Sequence, residues 1–280
     1  MKNIISMTLI TVTYNRPKQL KDILLPTIIN QQDKNFEWII VNDGGNQETK
    51  NIIENLDVDF PITYIEMDHL EQGFSLCAGK NLAINNAKSD IIGYIDDDNK
   101  LYSNYTYEIV KAFEEKECSY LMAQQNRWQY MTKDDVVIQK NGPQLSPMSA
   151  CILKDLVKPN KSSYFDSNGF AHLRTNSPKW DPEYRVFCDY TYLFNSIRNW
   201  GTNNFYFLEI PLVDYIQTSD GVIGTSNYSE WAKEFNMIWN DPHYQEICLM
   251  FEGEKWFPGF INYFEKKSTM TKTIDHLDTT

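Results

Sequence analysis

The feature of this sequence that most constrains its fold is an alternation of short apolar runs and helical patterns over the first 125 residues. Four apolar runs have the length of strands: residues 7–13, 38–41, 62–66 and 91–95. Segments with helical spacing separate them, for example residues 78–87. Apolar strands alternating with helices indicate a parallel sheet that is covered on both faces. The sequence therefore predicts an α/β fold with a mostly parallel sheet flanked by helices.

Beyond residue 125 the alternation fades, and the pattern predicts a mixed α+β half followed by a helical C-terminus. Residues 127–131 and 136–139 predict a hairpin, and residues 157–185, rich in Asn, Ser, Pro and Lys, predict a long irregular segment. Further elements are expected as a helix at 188–200, strands near 205–217, and helices near 229–240 and 242–252. We divide the chain into two halves that share a cleft, residues 1–125 and 126–267, and a disordered tail over 268–280.

Composition excludes several classes of function. The chain has 38 acidic and 26 basic residues, a net charge of −12, which repels phosphate backbones and argues against nucleic acid as a partner. The five cysteines lack a Cys-x-x-Cys motif, which suits a reducing cytoplasm and argues against a zinc site. No apolar stretch is long enough to predict a transmembrane segment, and the apolar N-terminus has no signal-peptide cleavage site. We expect a soluble, cytoplasmic protein.

Polar side chains follow three of the predicted parallel strands, at the point where each strand ends. Open parallel sheets bind ligands just outside these carboxyl ends. The candidates are Thr13, Tyr14 and Arg16 after the first strand, Asp43 after the second, and Asp96, Asp97 and Asp98 after the fourth. Their coincidence at one edge predicts a binding site there.

The run of three aspartates at 96–98 is the sharpest of these signals. Adjacent carboxylates repel one another, and a hard divalent cation with oxygen ligands would offset this repulsion and also bind phosphates. The alternative is that an aspartate caps the helix expected to start near Tyr102. The residues alone leave both interpretations open.

Asp43 and Tyr14 have side chains suited to a nucleobase, because a carboxylate accepts from an imide N–H and an aromatic ring stacks on a base. For Asp43 alone, an Asx turn before two glycines is the favoured alternative. Gly79-Lys80 resembles the end of a phosphate loop, but Asn81 stands where a Walker motif requires Ser or Thr. Lys80, in the first turn of a helix, remains a candidate for contact with a diphosphate.

Two residues of the second half are candidates for chemistry. Asp189, at the start of the helix at 188–200, is a candidate general base, and capping of that helix is an equally natural role. His172 lies in the predicted irregular segment, where it could contact an acceptor or a metal ion. A lone histidine is more often structural than catalytic.

Together these residues resemble glycosyltransferase family 2, whose members have the GT-A (Rossmann-like) fold. The matching pieces are Thr11-Val12-Thr13-Tyr14-Asn15-Arg16, Ile40-Val41-Asn42-Asp43-Gly44, Gly79-Lys80-Asn81-Leu82-Ala83 and Tyr94-Ile95-Asp96-Asp97-Asp98-Asn99. They occur in the family's order across roughly residues 7–105. The resemblance implies that residues 1–125 bind a nucleotide-sugar donor and that residues 126–267 carry the acceptor site and the catalytic base.

The resemblance also implies roles for single residues. The residues expected in the donor site are Thr13, Tyr14 and Arg16 around the nucleoside, Asp43 on the base, Lys80 on the diphosphate, and Asp96 and Asp97, with Asp96 near the ribose. Asp98 would bind Mn²⁺ or Mg²⁺ that bridges the diphosphate. Residues 181–190 resemble the segment with the family's catalytic base. Because Cys188 stands where the family usually has an acid, Asp189 is the candidate left in that segment.

The function implied is inverting, metal-dependent transfer of one sugar from a nucleotide diphosphate sugar, with UDP favoured, to a glycan or lipid-linked acceptor. Family analogy suggests surface polysaccharide or lipopolysaccharide biosynthesis. The absence of a Gln-x-x-Arg-Trp motif favours single-sugar transfer over a cellulose- or hyaluronan-type synthase. The alternatives are a GT-A-like sugar nucleotidyltransferase and a non-catalytic nucleotide- or glycan-binding module in which Cys188 marks a dead site.

An aromatic cluster at residues 256–264 precedes Lys266-Lys267. This pattern allows peripheral association with the inner face of the membrane, where lipid-linked acceptors reside. The negative net charge opposes binding to anionic lipids, so we favour packing of the cluster against the rest of the chain.

Overall fold

The computed structural model describes residues 7–133, 136–158, 165–218 and 226–277, and its strands form one mixed sheet. The strands are β1 (Met7–Tyr14), β2 (Phe36–Asp43), β3 (Ile62–Met67), β4 (Ile91–Tyr94), β5 (Lys100–Leu101), β6 (Tyr120–Lys133), β7 (Val136–Ser146), β8 (Phe170–Leu173) and β9 (Phe205–Gln217). Their order across the sheet is β3-β2-β1-β4-β8-β6-β9-β5, with β7 paired to β6. The predicted hairpin near residue 130 is therefore the antiparallel pair β6–β7, whose turn lies outside the described residues.

The helices are α1 (Pro17–Gln19), α2 (Leu25–Ile29), α3 (Gln47–Glu54), α4 (Ser75–Asn86), α5 (Tyr105–Glu115), α6 (Leu153–Val157), α7 (Cys188–Trp200), α8 (Tyr228–Asn240), α9 (Pro242–Met250) and α10 (Gly253–Leu277). A π-helical turn, Leu20–Leu24, joins α1 to α2 just before Pro26. Because proline has no N–H to donate, the regular ladder is interrupted there. The chain therefore approaches Pro26 through a widened turn.

Strands β1 to β4 are parallel to one another, with β1 between β2 and β4. The register places Tyr14 opposite Asp43, so the ends of β1 and β2 lie side by side. The carboxyl ends of these strands consequently share one edge of the sheet, as the sequence predicts.

Alternate residues of the central strands point to two separate cores. Met7 and Leu9 of β1 face a core closed by the π-helical turn, α2, α3 and α5. Ile10 and Val12 face the opposite core, which α4 and α6 to α10 cover. The prediction of a sheet covered on both faces is confirmed.

Strand β8 is the main departure from the predicted organisation. It lies between β4 and β6 and is antiparallel to both, within the segment 157–185 that was expected to be irregular. The strand has four residues and includes His172, a polar residue that breaks the apolar pattern. A strand this short that includes a polar side chain does not show a periodic apolar pattern in the sequence. It is buried because it lies between β4 and β6.

The C-terminal helices pack on one another. The aromatic residues of α10 that were considered for membrane contact are largely buried against α8. Phe257, for example, packs against Phe235 with ring centroids 4.9 Å apart. Helix α10 continues to Leu277, so residues 268–277, expected as a disordered tail, are helical. No proline or glycine follows Gly259 to end that helix earlier. Within the described residues, we find no helix with the length and apolar character needed to cross a membrane.

Candidate active site

The end of β1 and the loop after β4 are joined by charged hydrogen bonds. Thr13 donates from Oγ1 to Oδ2 of Asp97 at 2.6 Å. Arg16 contacts both Asp97 and Asp98 through Nη1, at 3.0 Å and 2.7 Å. The structure thus brings four of the predicted donor-site residues into one network.

The pKa values of the acids in this network reflect their burial and their closeness to one another. Burial raises the pKa of Asp97, and the neighbouring Asp98 raises it further, whereas Arg16 and Thr13 oppose the shift. Burial likewise raises the pKa of Asp98. The site therefore has a carboxylate charge that the protein compensates only in part with Arg16, and an added cation would stabilise it.

Asp96 is oriented by a residue that the sequence analysis did not select. Asn168 donates from Nδ2 to Oδ2 of Asp96 and accepts from the backbone N–H of Asp96, both at 2.8 Å. Asn168 is 1% exposed, so it fixes this carboxylate from inside the protein. The alternative that an aspartate of 96–98 caps the next helix is wrong, because Asn104 is the N-cap residue of α5.

Tyr14, Asp43 and His69 form the second part of the site. The rings of Tyr14 and His69 are stacked with centroids 4.1 Å apart, and Nδ1 of His69 lies 2.8 Å from Oδ2 of Asp43. Asp43 is 2% exposed, and its Oδ1 atom is buried without a hydrogen-bond partner in the structure. The arrangement leaves one carboxylate oxygen to accept a further N–H.

Lys80 lies on α4 and is buried below the edge of the sheet, 2% exposed. Its ammonium group donates to Oγ of Ser167 at 2.8 Å and lies 4.0 Å from the ring centroid of Trp180. Burial opposes the charge of Lys80, but the carboxylates of Asp189 and Asp96 outweigh it and raise the pKa of the lysine. The structure brings Lys80 to Asp189, and its contact with a diphosphate stays a prediction.

Asp189 is the second residue of α7, and Phe187 is the N-cap, so the capping role considered for Asp189 is wrong. Its Oδ1 atom is buried and lies 3.9 Å from Nζ of Lys80, while 26% of the side chain is exposed. Burial raises the pKa of Asp189 to about 6, and Lys80 opposes that rise. A carboxylate with such a pKa is ionised at neutral pH and basic enough to take a proton.

His172 does not reach the cleft. It lies in β8 with no exposed surface, and its Nε2 atom is 2.7 Å from the Tyr94 hydroxyl and 2.9 Å from the Tyr192 hydroxyl. Its Nδ1 atom is 2.8 Å from the backbone oxygen of Leu173. Burial lowers the pKa of His172 to about 4, so the ring is neutral. The predicted contact with an acceptor or metal is corrected to a structural role, because both ring nitrogens are engaged inside the core.

The turn at residues 166–168 connects the two parts of the site. Ser167 contacts Lys80, which faces Asp189, and the next residue, Asn168, holds Asp96. Asp96 and Asp189 are thereby brought to the same side of the sheet although they are far apart in sequence. The strand-end rule applied to β3 would have found His69, whereas Asn168 lies in the segment expected to be irregular and gave no signal.

The oxygen donors at this edge fit Mn²⁺ or Mg²⁺ that takes most of its ligands from a substrate. Among the side chains that the structure describes, no group of three or more His, Cys, Asp or Glu residues is placed to hold an ion. Mg²⁺ is usually bound by one or two carboxylates together with substrate phosphates. Asp98 is 14% exposed, whereas both oxygens of Asp97 are hydrogen-bonded and only 5% of that side chain is exposed. Asp98 thus has the more accessible carboxylate of the two, and binding of an ion there stays a prediction.

Comparison with known proteins decides the family. The family model described as glycosyl transferase family 2 matches residues 8–207. This chain belongs to that family. The match includes the strand ends of the site, the 166–168 turn and Asp189, and it ends inside β9.

Curated relatives match shorter segments. The chain is 30% identical over 95 residues to the chondroitin synthase of Pasteurella multocida, covering 34% of this chain and 10% of that protein. It is also 30% identical over 98 residues to the Campylobacter jejuni GalNAc(5)-diNAcBac-PP-undecaprenol beta-1,3-glucosyltransferase, covering 35% of this chain and 31% of that protein. The matches thus span about a tenth to a third of these relatives.

Solved structures extend the likeness to most of the chain. The crystal structure of S. aureus TarS superposes with a TM-score of 0.62 at 16% identity, covering 88% of this chain and 69% of that chain. The mannosyltransferase PcManGT from Pyrobaculum calidifontis, solved with GDP-Man and Mn²⁺, gives 0.56 at 12% identity, covering 94% and 73%. The predicted GT-A fold is confirmed, and the family match favours a transferase over the nucleotidyltransferase alternative.

Proposed function

We propose that this family 2 chain is an inverting glycosyltransferase that moves one sugar from a nucleoside diphosphate sugar to a hydroxyl of a glycan or lipid-linked saccharide. The proposal is supported by the contacts of three acids with the strand-end site: Asp43 lies opposite Tyr14, Asp98 binds Arg16, and Asp189 faces Lys80. We infer that they serve the base, the phosphates and the acceptor hydroxyl in that order. The relatives named as transferases and synthases support the reaction type.

The nucleoside would bind at Asp43 and Tyr14. The partnerless Oδ1 atom of Asp43 is suited to the N–H of an imide base, as in uracil, thymine or guanine, because a carboxylate only accepts hydrogen bonds. His69 would hold the other oxygen and restrict the rotation of the carboxylate. Cytosine presents an acceptor at the corresponding ring nitrogen and is disfavoured. UDP is the favoured nucleotide, and TarS has been solved with UDP-GlcNAc.

Catalysis would divide between two sides of the anomeric carbon. Asp189 would take the proton from the acceptor hydroxyl while the oxygen of that hydroxyl bonds to the anomeric carbon. The bond from the anomeric carbon to the diphosphate oxygen breaks at the same time, with inversion. Arg16, which pairs with both Asp97 and Asp98, would orient the acids on the phosphate side. Mn²⁺ or Mg²⁺ bound at Asp98 would offset the charge of the departing diphosphate.

Asp189→Asn tests this assignment. Because the amide cannot take a proton, we expect turnover to fall by about 10²- to 10⁴-fold, while affinity for the nucleotide stays within about threefold. The measurement is release of UDP from UDP-sugars, together with calorimetric binding of UDP. Glu183→Gln, which removes an exposed charge in the same segment, is the matched control and should retain full activity.

Two results would contradict the proposal. A fully active Asp189→Asn enzyme would remove the base assignment. Binding of UDP without any release of UDP from the sugars, in the presence of Mn²⁺ and saccharide acceptors, would move the chain to the binding-module alternative.

A further inference from the structure

The segment that leads into Asp189 is held by a buried acid from the C-terminal helices. Glu234 of α8 is 5% exposed. Its carboxylate accepts four hydrogen bonds from three consecutive backbone N–H groups, those of Arg185 at 3.0 Å, Val186 at 3.1 Å and 2.9 Å, and Phe187 at 2.9 Å. Both oxygens are therefore used to fix one short piece of main chain.

This piece of main chain leads directly into α7, which begins at Cys188. Phe187, the N-cap residue, makes no side-chain cap of its own, and Glu234 accepts from its backbone N–H and from the two N–H groups before it. A carboxylate at a helix N-terminus is also stabilised by the helix dipole, and hydrogen bonds to a charged acceptor are stronger than neutral ones. Asp189 follows two residues after Phe187, so the same contacts set the point from which its side chain extends.

A second contact supports the same segment. Tyr244 of α9 donates its hydroxyl proton to Oδ2 of Asp181 at 2.8 Å. On the opposite side, the backbone oxygen of Pro182 accepts from the N–H of Phe74, which is the N-cap of the helix that carries Lys80. Residues 181–187 thus lie between the C-terminal helices and α4.

We propose that Glu234 is a positioning residue for the candidate base: it clamps residues 185–187 so that Asp189 lies against Lys80. The inference goes beyond the family match, because Glu234 and Tyr244 lie after residue 207, where that match ends. It deepens the proposed function and rests on it for its catalytic consequence. The position of Asp189 next to Lys80 can be measured without any substrate.

The charged groups around Asp189 determine how its titration midpoint would change if Asp189 moved. Lys80 of α4 faces it at 3.9 Å, and the acids Asp96, after β4, and Asp166, at the start of the 166–168 turn, also act on it. Burial and the two acids disfavour the ionised form of Asp189, and Lys80 favours it. If the segment before α7 relaxes and Asp189 moves away from Lys80 but stays buried, the titration midpoint of Asp189 should therefore rise.

The test is carbon-13 NMR titration of aspartate carboxyls in Glu234→Gln, with the Asp189 signal assigned from Asp189→Asn. The Gln amide accepts through a single oxygen, so fewer backbone N–H groups are held. We expect the Asp189 midpoint to rise by at least half a pH unit, and UDP release from UDP-sugars to fall about tenfold or more with unchanged UDP affinity. Glu234→Asp, which keeps both oxygens, should restore part of each effect.

The matched control is Glu230→Gln. Glu230 lies one turn earlier on α8 and binds the Arg185 side chain at 2.8 Å, not the main chain. It should leave the Asp189 midpoint and turnover within experimental error of the unaltered protein. If Glu234→Gln does not fold, Tyr244→Phe serves as the second variant, with a smaller rise of the midpoint.

The inference is overturned if Glu234→Gln folds and the Asp189 midpoint is unchanged. If Glu234→Gln does not fold, an unchanged Asp189 midpoint in Tyr244→Phe overturns it. An equal effect in Glu230→Gln also overturns it, because charge loss on α8 would then be the cause. Failure of the proposed function has a different signature: Asp189→Asn stays active while the midpoint in Glu234→Gln still rises.

Discussion

At the scale of single residues, the proposed chemistry depends on the pair of Lys80 and Asp189. Lys80 is buried between Ser167 and the Trp180 ring and faces the Asp189 carboxylate. Burial raises the pKa of Asp189 to about 6, above that of an ordinary aspartate. The Lys80 ammonium opposes that rise because it favours the ionised form of the base, and the pKa stays below neutral pH.

The pH dependence of turnover should follow from this pair. A general base works when deprotonated, so activity should be present above pH 6 and lost as pH falls through about 6. Lys80→Met removes the positive partner, so the acidic limb of the pH profile should move to higher pH, and Lys80→Arg should move it less. Profiles of UDP release between pH 4.5 and about 8.5 measure the acidic limb of the unaltered protein and of each variant. A limb that stays in place in Lys80→Met would mean that Lys80 does not act on the base.

Residue-level prediction succeeded where a simple rule applied. Asp43, Asp96, Asp97 and Asp98 were found because they follow parallel strands, and the structure places them at that common edge. Asn168 escaped because it acts from a turn whose position depends on β8, and β8 has no periodic signal. Residues that orient other residues through tertiary contacts leave little trace in local sequence.

At the scale of elements, α4 is placed by a close approach to β1. A Cβ atom on Gly79 would lie 2.9 Å and 3.0 Å from the two methyl carbons of Val12 and 3.4 Å from Sδ of Met67. Valine is stiff about χ1, so the helix would have to move away from the strand. The glycine therefore keeps α4, and with it Lys80, against the sheet.

Gly79→Ala should destabilise the protein by about 1–2 kcal/mol, because overpacking exceeds the gain of about 1 kcal/mol in helix propensity. The matched control is Gly259→Ala in α10, where a Cβ atom would meet nothing within 4 Å. That change should stabilise the protein by up to about 1 kcal/mol. Urea unfolding midpoints compare the two variants, and shifts of the same sign would contradict the close-packing account.

At the scale of the whole molecule, two different parts of the sequence build one site. The first half supplies the parallel strand ends, and its α/β pattern made the GT-A fold predictable. The second half supplies Asp189, and its geometry depends on α8 and α9, which follow the region matched by the family model. The sequence predicted these helices but gave no indication of their contacts with residues 181–187, because contacts between distant segments have no local pattern.

We propose that this sheet edge binds a nucleoside diphosphate with the help of a divalent cation at Asp98. The measurement that tests it most directly is calorimetric titration of UDP, GDP, dTDP and CMP, each with Mn²⁺ and with EDTA. The account predicts that UDP binds in Mn²⁺, that binding weakens in EDTA and in Asp98→Asn, and that CMP does not bind. Asp90→Asn, an exposed change before β4, should behave as the unaltered protein. Absence of binding by every diphosphate under both conditions would contradict the donor site.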